Sequence, residues 1–89
     1  MGYRIIPTKT FETALRKLDR PIAKRVLFKL TALEKSSHGI TLLNFTPKGL
    51  GGLRKYKVGE WRVFLWLDEA KKEIILYTVK HRKDAYKNL

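Results

Sequence analysis

The chain has 89 residues, 44% of them hydrophobic, enough for a single small domain over residues 1–89 with one modest core. Twenty Lys and Arg stand against eight Asp and Glu, a formal charge of +12 with a pI of about 10.2, the balance of a protein whose partner is acidic, RNA or protein. The lack of cysteine excludes a disulfide framework, thiolate metal sites and a thiol nucleophile, and leaves stability to packing.

The first residues lack an apolar core of signal-peptide length, and the longest apolar run, Val63 to Leu67, is far too short to span a bilayer. A soluble, cytoplasmic protein with no membrane partner is expected. Tyr3 to Ile6 is β-prone and is ended by Pro7, which cannot donate a ladder hydrogen bond. Thr8 is placed to cap a helix that carries Phe11, Leu15 and Leu18 on one face, with Lys9, Arg16 and Lys17 toward water. Asp19-Arg20-Pro21 breaks that pattern, and Pro21 suits the first turn of a second helix with Ile22, Val26, Leu30 and Leu33 on one stripe. Together they predict a helical hairpin with a basic outer face.

Ser36 to Gly52 reads as a loop, since two serines, Pro47 and four glycines interrupt only short apolar runs. Gly49-Leu50-Gly51-Gly52 leads into Leu53-Arg54, so it has neither the Gly-Lys-Ser/Thr ending of a phosphate loop nor a dinucleotide fingerprint. The glycosylation tripeptide Asn44-Phe45-Thr46 carries no weight, because such tripeptides arise often by chance.

Three β-rich segments follow, Leu53 to Val58, Trp61 to Leu67 and Ile74 to Val79, joined by Gly59-Glu60 and by Asp68 to Lys72. Connections this short join antiparallel neighbours. The expected fold is α+β: a small antiparallel sheet in the order β-α-α-β-β-β, covered on one face by the N-terminal helical hairpin and partly open on the other. Arg82 to Leu89 can add a last short helix.

Arg54, Lys55, Lys57 and Arg62 lie within nine positions around one turn. Alternation along the strands puts Lys55 and Lys57 on one face and Arg54, Tyr56 and Val58 on the other. Pairing Arg62 with the lysines leaves Tyr56, Val58, Val63, Leu65 and Leu67 for the helices and sends Arg54 out at the core edge. The bland alternative is that Lys55, Lys57 and Arg62 only decorate a solvated face. Phe64 and Trp66 argue for more, because on that same face they expose large aromatic surface unless a base, a partner or the C-terminal segment covers them.

The segment Lys80-His81-Arg82-Lys83-Asp84-Ala85-Tyr86 adds candidates. Arg82, just past the last strand, can reach a phosphate bound across the sheet. Tyr86, one helical turn later, can stack on a base or simply dock a short helix. His81 is expected to be partly buried and hydrogen-bonded. Lys80, His81 and Lys83, with Arg54, Phe64 and Trp66, form the wider candidate RNA-binding set.

Such a surface can cut RNA with no cofactor, because RNA carries its own nucleophile. Attack of a ribose 2′-oxygen on the adjacent phosphate needs a proton acceptor, cations for the pentacoordinate charge and an acid for the departing 5′-oxygen. A lysine among cations gives up its proton more readily than an isolated one, and arginine suits phosphate bidentately.

The run Leu53-Arg54-Lys55-Tyr56-Lys57-Val58-Gly59-Glu60-Trp61-Arg62-Val63, followed by a strand and His81-Arg82-Lys83-Asp84-Ala85-Tyr86, resembles the RelE/ParE superfamily of toxin–antitoxin toxins over essentially the whole chain. The resemblance implies a RelE-like mRNA interferase, an endoribonuclease that enters the ribosomal A site and cleaves mRNA without metal. Its products would be a 2′,3′-cyclic phosphate and a 5′-hydroxyl, and growth would stop. By position, Lys55 looks like the family's strand lysine, a base or phosphate stabiliser. Lys57 and Arg62 look like its transition-state cations, Arg82 like its C-terminal arginine and Tyr86 like the aromatic that orients substrate.

Lys57 stands where arginine is frequent, Trp61 where tyrosine is usual and Leu53 where some members carry a further lysine. The resemblance also implies a small acidic RelB-like antitoxin, wrapped around the toxin in a hetero-oligomer. Two other readings stay open: a ParE-like protein that inhibits DNA gyrase without catalysis, and a non-catalytic RNA-binding module. ParE-like members generally lack the basic set present here.

Overall fold

A computed structural model describes residues 2–43 and 49–85. The chain runs β1 (Arg4–Pro7), α1 (Lys9–Arg16), α2 (Arg20–Thr31), a 3₁₀ turn (Ala32–Glu34), β2 (Ile40–Leu42), β3 (Arg54–Val58), β4 (Trp61–Asp68), β5 (Glu73–His81) and a second 3₁₀ turn (Arg82–Asp84). The expected α+β architecture is present. Thr8 starts α1 as its composition suggests, the hydroxyl oxygen accepting from the Phe11 amide at 3.2 Å. Pro21 lies in the first turn of α2, where its missing N–H costs nothing.

The sheet has five strands in the order β1-β5-β4-β3-β2. Two features differ from expectation. Residues 40–42 within the expected loop form an edge strand, with Thr41 opposite Lys55. Three residues are too few to show the two-residue alternation that marks a strand in sequence. The sheet is also mixed, because β1 pairs with β5 in parallel, from Arg4 opposite Glu73 to Pro7 opposite Leu76. The helical hairpin carries the chain from one sheet edge to the other, and three antiparallel turns walk it back, so the last strand arrives beside the first. Local spacing gives the two turns on either side of β4 but neither the β2–β3 connection nor that closure.

The principal core lies between the helices and one sheet face. Phe11, Val26, Leu30 and Leu33 meet Tyr56, Val58, Val63, Leu65, Ile74, Leu76 and Val79, all buried. The Tyr56 hydroxyl donates to the Lys29 carbonyl at 3.3 Å, which satisfies the one polar atom that this ring brings inward. Gly2 is held where β1 begins: a Cβ there would stand 2.1 Å from the Glu34 carbonyl oxygen, so no larger residue fits without moving the backbone.

The other face carries a second, smaller apolar cluster. Leu53, Phe64 and Ala85 are buried there, with Leu43, Leu50, Trp66 and Tyr77 packed around them. A β-bulge helps to build it. Phe64 faces Thr78 while Leu65 faces Leu76, leaving Tyr77 as the extra residue of β5. Tyr77 and Thr78 therefore both serve the face away from the helices.

Candidate functional site

The turn between β3 and β4 fixes the geometry. Gly59 has φ +60°, and Val58 pairs with Trp61 across a two-residue connection, the arrangement of a hairpin turn with glycine first. That register places Lys57 opposite Arg62, and the next ladder places Arg62 opposite Lys80. Residues directly opposite share a face, and neighbouring strands lie about 4.8 Å apart, so three cation-bearing positions cross three strands in about 10 Å. Below this row run Lys55, Phe64 and Thr78, also directly opposite one another. Lys57 is exposed, while Lys55, Arg62 and Lys80 are half-buried.

Arg62 is steered by the turn it follows. Its Nη1 donates to the carbonyl oxygens of Gly59 and Trp61, both at 2.9 Å. Among the described residues these are its only partners, so the rest of the guanidinium fork is available to an anion.

Glu60, at the same turn, is a residue that sequence reasoning passed over. Its carbonyl accepts from the Arg82 amide at 2.7 Å, and its carboxylate lies 3.4 Å from Arg82 Nη2 and 3.9 Å from His81 Nε2. Glu60 thus ties the segment after β5 to the hairpin tip and occupies the Arg82 guanidinium. The signal was present in the meander, since a residue in a two-residue turn must lie near the end of the strand paired beyond it.

Two of the wider RNA-binding candidates are packed within the second cluster, and two lie off the face of the row. Phe64 is fully buried, covered by Leu53 and Ala85, so its ring is not offered to a base. Trp66 is half-buried beside Tyr77, at 5.2 Å between ring centroids, and its Nε1 donates to the Gly51 carbonyl at 3.2 Å. The chain itself covers both rings. Arg54 faces Leu65 of the principal core, on the helix side, and its charge acts on Glu69 at the far end of the sheet. His81 lies opposite Trp61, edge to face at 5.1 Å, on the side where Trp61 packs against the principal core. Its Nδ1 accepts from the Lys83 amide at 3.2 Å, which matches the partly buried, hydrogen-bonded histidine expected.

Arg82 and Lys83 are exposed in the closing 3₁₀ turn. Tyr86 lies outside the described residues, as does the Asn44-Phe45-Thr46 tripeptide. Among the described residues no three His, Cys, Asp or Glu side chains group as metal ligands, and no helix is long and apolar enough to cross a membrane.

No protein-family model matches this chain, and no curated protein matches it in sequence. Solved structures do. The chain is similar to one in the RelBE2 toxin–antitoxin complex of Mycobacterium tuberculosis, with 23% identity over 92% of this chain and 100% of that one, at a TM-score of 0.78. The chain has the RelE fold. A RelE–RelB complex from the archaeon Pyrococcus horikoshii gives 25% identity over 92% of this chain and 97% of that one, with a TM-score of 0.69. A mutant E. coli toxin RelE in complex with an antitoxin RelBc peptide gives 17% identity over 100% and 99%, with a TM-score of 0.68. On the RelE fold the basic row occupies the face that the helical hairpin leaves uncovered.

Proposed function

We propose that this chain is the toxin of a type II toxin–antitoxin pair, a metal-independent endoribonuclease that cleaves mRNA in the ribosomal A site and so halts translation. The observation that carries this reading is the Lys57, Arg62 and Lys80 row, three cations in register across three strands with Arg82 at its edge. A phosphate seated on the row meets positive charge from several directions, as a pentacoordinate transition state requires.

In the proposed reaction the ribose 2′-oxygen attacks the adjacent phosphorus and the bond from phosphorus to the 5′-oxygen breaks. Lys55 or Lys57 takes the 2′-proton. Arg62 and the remaining cations balance the charge on the phosphoryl oxygens. Arg82, once drawn from Glu60, balances the charge on the departing 5′-oxygen, which takes up a proton from water, and Tyr86 orients the substrate, as in the family that the sequence resembles. The products are a 2′,3′-cyclic phosphate and a 5′-hydroxyl.

A small acidic antitoxin of RelB type is the proposed second partner. A surface at +12 favours it electrostatically, and similar chains are solved with RelB partners.

The deciding experiment maps RNA 5′ and 3′ ends in a translating extract with the wild-type protein and with Arg62→Ala, and on the same RNA without ribosomes. Cuts made only by the wild type and only during translation are expected. A folded, antitoxin-binding protein that makes no cuts would overturn the nuclease reading, and the row would then be tested as a docking surface in a gyrase assay.

A further inference from the structure

The basic row does not end at Lys80. β1 pairs with β5 from Glu73 to Leu76, so among the described residues β5 has from Tyr77 to His81 a strand neighbour, β4, on one side alone. Between that half-open edge and α1 lies a groove of about 580 Å³, lined by Lys9, Thr13, Lys17, Leu18, Thr78 and Lys80 among others. Lys9, Thr13 and Lys17 are spaced four apart, so they form one stripe along α1, and all three are exposed. Among the described residues no Asp or Glu lines this groove, whereas the hollow between β1 and the helical hairpin is lined by Glu12 and Glu34 together with Phe11, Leu15 and Leu30. The two hollows are chemically opposite.

We infer that the α1–β5 groove is a second binding site for single-stranded RNA, in which Lys9 and Lys17 hold backbone phosphates of the strand whose neighbouring phosphate sits on the Lys57, Arg62 and Lys80 row. This rests on the reading of the row as an RNA site. Lys80 belongs to both the row and the groove lining, so one strand can pass from one to the other around the edge of β5. The lining is also what a backbone needs: ammonium groups for charge and the exposed hydroxyls of Thr10 and Thr13 as donors to phosphate or ribose oxygens. None of these groups reads a base, so the site lengthens the footprint without adding sequence preference. An acidic peptide laid along the β5 edge is the competing occupant, but it gains nothing from continuity with the row.

The test is binding by fluorescence anisotropy across a salt series, using 2′-O-methylated single strands that cannot be cut. A trinucleotide is long enough only for the row, and a strand of about ten nucleotides can also fill the groove. The proteins compared are the wild type, the Lys9→Gln/Lys17→Gln variant and Arg62→Ala. Both lysines are exposed, so the double variant should fold, which circular dichroism checks.

The expected result is that the double variant binds the longer strand about tenfold more weakly at low salt. Loss of two phosphate contacts should lower its log–log salt slope by about 1.4. The trinucleotide should be unaffected, and Arg62→Ala should weaken both strands. If the double variant keeps the wild-type affinity and slope for the longer strand while Arg62→Ala still weakens it, the groove holds no RNA and the row stands alone. Loss of antitoxin affinity with RNA binding intact would assign the groove to an acidic peptide. A wild type that binds neither strand overturns the row and the groove together.

Discussion

The two ends of the sheet are built on opposite terms. At the end holding the turn between β4 and β5, charges are matched. The Tyr3 hydroxyl donates to Glu69 Oε1 at 2.8 Å, Lys72 lies 3.5 Å from the same oxygen, and Arg4 pairs with Glu73. Toward this end the face away from the helices is also covered, by Leu53, Phe64 and Trp66. At the end holding Gly59 and Glu60, the charges are unequal. Lys57, Arg62, Lys80, Arg82 and Lys83 gather there with Glu60 and, in the closing turn, Asp84 as the acids. Like charges at close spacing cost stability, so the first end holds the fold together while the second keeps positive charge that a polyanion can use.

The largest expected effects separate the two ends. Arg62→Ala should lower cleavage by about a hundredfold or more, the scale seen when one donor to a developing oxyanion is removed. It should change stability by only about 1 kcal/mol or less, because among the described residues the side chain bonds only to its own turn. Phe64→Ala should do the reverse, costing about 3–5 kcal/mol by emptying a fully buried site. Urea unfolding and the extract cleavage assay, run on both variants, check the pair. If Phe64→Ala keeps full stability and loses RNA binding, the ring is a base platform after all and the comparison fails.

How much of this was legible in sequence follows from the range of each signal. The Thr8 cap, the Pro21 start, the helical stripes and the three antiparallel strands all rest on spacings within one element or one turn, and they read correctly. Lys57 and Arg62 were placed on one face by alternation and a two-residue turn. Lys80 joins them only through the β4–β5 register, which the bulge at Tyr77 shifts by one residue. Alternation put Phe64 and Trp66 on the correct face but could not show what lies on top of them, because Leu50, Leu53 and Ala85 come from distant parts of the chain. Glu60 escaped notice because its meaning depends on Arg82, more than twenty residues away in sequence and 3.4 Å away in space.

A smaller effect is expected from Glu60 itself. Glu60→Gln removes the carboxylate charge that faces Arg82 and His81 while keeping the backbone carbonyl that receives the Arg82 amide. An exposed pair of this kind is worth about 0–1 kcal/mol, so freeing Arg82 should tighten binding of an uncleavable RNA by about two- to fivefold. Titration by anisotropy reads this directly. If Glu60→Gln weakens RNA binding instead, Glu60 holds Arg82 in its working position and does not compete with phosphate for it.

The finest test concerns the matched end. The Tyr3 hydroxyl bond, opposed by some desolvation and helped by the Lys72 and Arg54 charges, holds the Glu69 carboxyl below its ordinary value. A carboxylate depressed in the folded state contributes stability that is fully present above its unfolded pKa and is lost as pH falls through the folded one. Glu69 is therefore expected to titrate below an ordinary glutamate in a pH series of carboxyl NMR shifts. Tyr3→Phe, which deletes the hydroxyl and keeps the ring, should move that midpoint back upward and raise the pH at which the protein begins to unfold in acid. An unmoved midpoint would mean that the Tyr3 bond does not stabilise the charged carboxylate. The matched end would then depend on its apolar cover, not on pairing of its charges.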